Sequence, residues 1–154
     1  MADYFFDTSA LIKRHVRETG SAWVRSLVQA KAGHALYIAR ITAVEVTSAI
    51  TRRQHPGDLT PAQAGAMLGH FRRHLTQRYR VIELTPTLFA DAMSAARQHR
   101  LRAYDAVQLA VALDVHRRQQ DAGLAPVTLI SSDQALNDAA TAEGLAVDDP
   151  RSHP

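Results

Sequence analysis

Short apolar runs recur along this chain, each followed by a polar capping residue and a longer stretch with helical spacing, so strands should alternate with helices. Residues 3 to 6 predict a short buried strand, and Thr8 or Ser9 can cap a helix running to about Arg17. Gly20-Ser21 restarts a helix whose stripe is Trp23, Val24, Leu27 and Val28, and Gly33 stops it. Leu36 to Ala39 predicts a second strand. Thr42 and Glu45 then have capping-box spacing at the start of a helix that reaches about Arg53. His55-Pro56-Gly57-Asp58 is a loop, and Thr60-Pro61 opens a helix to about Arg78.

Val81 to Leu84 predicts a third strand, and Thr85-Pro86 or Thr87 starts a helix whose apolar stripe is Phe89, Ala92, Met93 and Ala96. After a break at Arg100-Leu101-Arg102, Ala103 to Gln119 forms a strong helix ended by Gly123 and Pro126. Val127 to Ile130 is the fourth strand, Ser131-Ser132-Asp133 opens a last helix, and Leu145-Ala146-Val147 is a candidate edge strand. The expected fold is α/β, with a mainly parallel central sheet flanked by helices on both faces. It forms one domain over residues 1–150 with a frayed end at 151–154. Binding sites of such sheets gather outside the carboxyl ends of the strands.

Four acids fall at that rim. Asp7 and Asp133 directly follow predicted strands, Glu45 lies a few residues after one, and Asp105 sits in the first turn of its helix. Each also has a purely structural explanation. Glu45 is the capping-box partner of Thr42, Asp133 can cap its helix, and Asp105 benefits from the helix dipole. Asp7 is harder to explain so, because Thr8 and Ser9 can cap without it. Taken as a set the acids share one edge of a sheet. Two unit charges about 4 Å apart cost about 4 kcal/mol at an effective dielectric of about 20, so such a cluster must protonate or bind a cation.

Composition narrows the cation. The 154 residues contain no cysteine, which excludes disulfides and a thiolate zinc site. The eight histidines are scattered and form no His-Glu-x-x-His pair. Oxygen-only ligation favours Mg²⁺ or Mn²⁺, whose chemistry on a phosphodiester is that of a nuclease. The net charge is +3, and Lys13 and Lys31 are the only lysines. Arginines suit phosphate; Arg14, Arg40 and Arg102 lie near the acidic segments, although surface solvation explains each of them better than a phosphate contact. No phosphate loop, dinucleotide fingerprint or serine-hydrolase elbow occurs. The absence of a long apolar run and of a basic leader predicts a cytoplasmic protein without membrane spans.

These segments resemble the PIN-domain ribonucleases, and among them the VapC-type toxins of bacterial toxin-antitoxin pairs. Phe6-Asp7-Thr8-Ser9-Ala10-Leu11 is similar to the family's first acidic motif, and Thr42-Ala43-Val44-Glu45-Val46 to its second. Tyr104-Asp105-Ala106-Val107-Gln108-Leu109-Ala110 resembles the third, and Ser131-Ser132-Asp133-Gln134-Ala135-Leu136 the fourth, with Ser131 where threonine is common. The resemblance implies a three-layer PIN-like fold and a Mg²⁺- or Mn²⁺-dependent endoribonuclease that hydrolyses RNA. Asp7, Glu45, Asp105 and Asp133 would be its catalytic and metal-site acids. Ser9 is implied as a hydroxyl near the metal, and Asn137 as a further polar group there. The family's properties also imply a homodimer and a cognate antitoxin that covers or enters the acidic site. Two other readings compete. One is a PIN-like RNA-binding or regulatory module that has lost cleavage. The other is a phosphoryl-transfer domain using Asp7 as acceptor, which would call for an Asp two residues on, where Ser9 stands.

Overall fold

A computed structural model describes residues 1–154. Five parallel strands run in the order β3-β2-β1-β4-β5: β1 (Asp3–Phe6), β2 (Ala35–Ala39), β3 (Arg80–Ile82), β4 (Thr128–Ile130) and β5 (Ala146–Asp148). Phe5 stands opposite Tyr37 on one side and Leu129 on the other, so β1 is the central strand. Seven α-helices surround the sheet: α1 (Thr8–Leu11), α2 (Ser21–Val28), α3 (Arg40–Arg52), α4 (Pro61–Gln77), α5 (Pro86–His99), α6 (Ala103–Asp121) and α7 (Gln134–Ala142).

Alternation along β1 divides the core. Phe6 packs with Leu11, Val24, Ile50 and Phe71 under α1 to α4, whereas Phe5 packs with Leu109, Val111, Leu129 and Leu136 under α6 and α7. Both phenylalanines are fully buried, as a strand covered on both faces requires. The result is a three-layer α/β fold. No helix is long and apolar enough to cross a membrane.

Several local expectations change. Asp7, not Thr8 or Ser9, caps α1, and that helix stops at Leu11 before a 3-10 turn over Ile12–Arg14 instead of reaching Arg17. The early turn buries Lys13, whose Nζ pairs with Glu18 at 3.0 Å. The α2 helix ends at Val28, and Gly33 terminates a separate 3-10 turn, Ala30–Ala32, with φ of 70°. The Thr42–Glu45 capping box does not form: α3 begins at Arg40, so Thr42 is already inside the helix. The Thr60–Gln63 capping box does form, with Pro61 at the start of α4.

On α5 the buried residues are Leu88 and Ala92, while Phe89 and Met93 are 51% and 75% exposed. The stripe read as a core face therefore points partly outward. The chain end is not frayed. Pro150–Ser152 form a 3-10 turn, Pro150 is buried against Gly20, and the His153 ring stacks on Trp23 at 4.0 Å. Stacking and apolar burial hold a segment whose polar residues gave no periodic signal.

Candidate active site

The carboxyl ends of β1, β2 and β4 deliver the acids from different directions. Phe6 leads directly into Asp7, whose extended backbone (φ −71°, ψ 157°) lets its side chain turn back over the start of α1. Its Oδ2 accepts from Ser9 N at 3.1 Å, Ser9 Oγ at 2.5 Å and Ser131 Oγ at 3.3 Å. Asp133 caps α7, its Oδ1 accepting from Leu136 N at 2.9 Å. Glu45 projects from the second turn of α3, and its Oε1 accepts from Thr8 Oγ1 at 2.9 Å and Gln108 Nε2 at 3.0 Å. Asp105 lies in the first turn of α6, behind the N-cap residue Arg102.

Electrostatics tie the four together. Burial pushes Asp7 up to about 6; hydrogen bonds from Ser9 oppose this, and the charges of Glu45 and Asp105 reinforce it. Asp105 is also raised, by burial and then by the charges of Asp133 and Glu45, with Arg102 pulling it back. Glu45 thus acts on both Asp7 and Asp105, and Asp133 on Asp105.

None of the four forms an ion pair, whereas Glu18, Glu83, Asp114 and Asp149 all do. Each retains oxygen capacity as well. Asp7 Oδ1, Glu45 Oε2, Asp133 Oδ2 and both oxygens of Asp105 make no hydrogen bond, and none is a sealed, unpartnered atom. No three acidic or histidine side chains stand close enough together to enclose an ion. The donor set nevertheless fits a hard divalent cation: it is all oxygen, forms no ion pair with a side chain and is partly open. Mg²⁺ characteristically keeps several waters and takes only one or two carboxylates directly.

A polar scaffold braces the acids. Ser9 Oγ donates to Asp7 and accepts from Ser132 N at 3.0 Å, joining the loops after β1 and β4. Ser131, fully buried, also accepts from Asp133 N at 3.0 Å. Asn137 is buried and donates from Nδ2 to the Ser131 carbonyl at 3.0 Å. Its side chain reaches the acids only through Ser131, while its backbone N–H donates to the Asp133 carbonyl at 2.9 Å. Arg40 forms a bidentate ion pair with Glu83, and Arg14 faces the opposite end of the molecule, so neither joins the acids.

Gln108 escaped the sequence reading. Fully buried, it reaches Thr8, Thr42 and Glu45 from one amide nitrogen, at 3.3, 2.9 and 3.0 Å. A signal existed: it is the one polar residue between Asp105 and Asp114, three positions from Asp105 and hence on the same helical face.

In a parallel sheet covered by helices on both faces, ligands bind outside the carboxyl ends of the strands, which is the rim where these acids lie. The chain belongs to the PIN domain family, whose model matches residues 4–141. No curated protein matches it by sequence. Solved structures share the fold at low identity. PAE2754 from Pyrobaculum aerophilum is 20% identical with a TM-score of 0.64, covering 99% of this chain and 92% of its own. A toxin-antitoxin complex from Klebsiella pneumoniae is 18% identical with a TM-score of 0.63, covering 96% and 97%. VapC20 of Mycobacterium tuberculosis, a toxin that cleaves the sarcin-ricin loop, is 17% identical with a TM-score of 0.62, covering 93% and 96%.

Proposed function

We propose that this PIN domain is a Mg²⁺- or Mn²⁺-dependent endoribonuclease and the toxin of a VapBC-type toxin-antitoxin pair. One observation carries the reading. Four carboxylates from four separate elements lie near the strand ends, Asp105 sensing the charges of Glu45 and Asp133 and Asp7 those of Glu45 and Asp105, without an ion pair and each with an oxygen to spare. Asp7, Glu45, Asp105 and Asp133 would hold the cation. When bound, it would neutralise the cluster, lower the pKa of an attacking water and stabilise negative charge on the scissile phosphodiester.

The protein's own contribution is orientation. Ser9 and Ser131 fix one oxygen of Asp7 and leave the other facing the site. Thr8 and Gln108 do the same for Glu45. Asn137 secures the Ser131 backbone, so the role proposed for it is positioning at one remove.

Two partners follow from the family reading. An antitoxin would cover or enter the acidic rim. A second copy of this chain would pack on an apolar groove of about 340 Å³ lined by Phe89, Met93, Tyr104 and Val107, because the first three of these are exposed and no polar residue is among the lining. The competing reading is a PIN module that binds RNA without cutting it. Incubation with RNA and Mn²⁺ separates the two, since only the nuclease yields products that EDTA suppresses. The toxin assignment is tested by expression: growth should arrest and then recover when a small neighbouring DNA-binding protein is co-expressed.

A further inference from the structure

A second polar site lies at the other end of the sheet. An open cleft of about 570 Å³ is formed where the 3-10 turn ends at Arg14, α2 ends at Val28, and α4 ends at His74, Gln77 and Arg78. These segments lead into the amino ends of β2 and β3, whereas the acids follow carboxyl ends, so a strand's length separates the two sites. The sequence reading took the histidines as scattered. Here His15, His70 and His74 come together, with ring centroids 5.6 Å and 4.3 Å apart along the series.

The cleft is lined by Arg14, Lys31 and Arg78 and by no acidic residue. None of the three forms an ion pair. Arg78 is partly occupied: it donates to the carbonyls of Val28 at 2.8 Å and His34 at 3.1 Å, taking up the carbonyl end of α2. Arg14 is not. Its one polar contact is Nη2 to His74 Nε2 at 3.3 Å, and its Nε is buried without a partner. That contact leaves the ring proton of His74 on Nδ1, a buried atom that also lacks a partner.

Burial, together with the charges of Arg78 and Arg25, holds Arg14 below its usual value, and burial with the Arg14 charge lowers His74 to about 4. Positive charge therefore accumulates here against a solvation cost, with nothing in the protein to balance it. A planar guanidinium with free N–H groups beside a mobile ammonium matches a multiply charged tetrahedral oxyanion better than a single carboxylate.

We propose that this cleft binds a phosphate group, held by Arg14 and Lys31 with Arg78 as a fixed flanking charge, independently of the acidic rim. The phosphate can come from an RNA strand or from a free phosphate ester. The test uses the whole chain with Asp7→Asn, in which the proposed function predicts no RNA cleavage, and follows the His74 ring signals by NMR. Inorganic phosphate is titrated at constant ionic strength against sodium chloride. The expected result is a saturable shift of His74, with affinity about tenfold weaker in Lys31→Gln, whose exposed side chain leaves the fold intact, and in Arg14→Lys. The proposal is overturned by no saturable shift, by a shift that chloride reproduces, or by an affinity in both variants equal to that of the parent Asp7→Asn protein. Competition by a short oligouridine supports the site with RNA as the source; competition by uridine monophosphate alone supports it with a free ester as the source.

Discussion

Gln108 on α6 donates to Glu45 on α3 at 3.0 Å, and the same nitrogen lies 2.9 Å from the buried Thr42 hydroxyl. This amide locks the two helices that carry Glu45 and Asp105. Replacing it with leucine leaves the buried Thr42 hydroxyl unpaired and Glu45 held by Thr8 alone, a loss of about 1–3 kcal/mol. Gln108→Leu should lose that much stability in urea denaturation and cut RNA at least about tenfold more slowly, an effect of about 1.4 kcal/mol on the barrier. Wild-type cleavage by the variant would mean that Glu45 needs no such support.

The buried Asp7 gives the metal-free protein a distinctive pH response. Its folded value of about 6 exceeds the ordinary 3.8, so between these the native state binds more protons than the unfolded chain. Stability from this group is therefore fully present below about pH 3.8 and is lost as pH rises through 6, by about 3 kcal/mol at pH 7. His15 and His74, held neutral by burial down to about 3 and about 4, pull in the opposite direction. Comparing wild type with Asp7→Asn in EDTA isolates the carboxylate. Asparagine still caps α1, and the variant should be the more stable protein at pH 7 to 8. An identical pH slope in both proteins would assign the effect to another group.

Ser9 holds Asp7 in the charged form through its hydroxyl and its backbone N–H. Ser9→Ala removes one of these two bonds and should raise the Asp7 value further. The pH at which the Asp7-dependent stability is lost then moves upward. An unmoved midpoint in the same denaturation series would show that the hydroxyl does not control Asp7.

Met93 and Phe89 stand exposed on α5 beside Tyr104. Met93→Glu places a charge in the proposed pairing groove while removing no buried contact. Light scattering should show the wild type as a dimer and the variant as a monomer with unchanged thermal stability per chain. A monomeric wild type at tens of micromolar would remove the groove from the dimer account.

The alternation of apolar runs with capped helices made the parallel sheet legible, because burial on both faces leaves the carboxyl-terminal parts of β1 and β4, Phe5-Phe6 and Leu129-Ile130, apolar. Asp7 stood out for the same reason, as a carboxylate at the end of an aromatic strand. Glu45 was harder to read. Capping-box spacing offered an easy explanation that failed only because α3 begins two residues before Thr42. The outward turn of Phe89 was not legible, since an apolar stripe records a face and not what covers it. Gln108, the Arg14–His74 cleft and the ordered tail depend on contacts between residues far apart in sequence, and local periodicity carries no trace of these.

RNA cleavage by purified protein, with and without Mn²⁺, in wild type and Asp7→Asn, bears most directly on the central claim. Defined products should form with Mn²⁺, vanish with EDTA, and drop at least about a thousandfold in Asp7→Asn, a loss of about 4 kcal/mol of barrier lowering. Equal cleavage by the two proteins, or cleavage that persists in EDTA, would contradict a carboxylate-held metal as the source of activity.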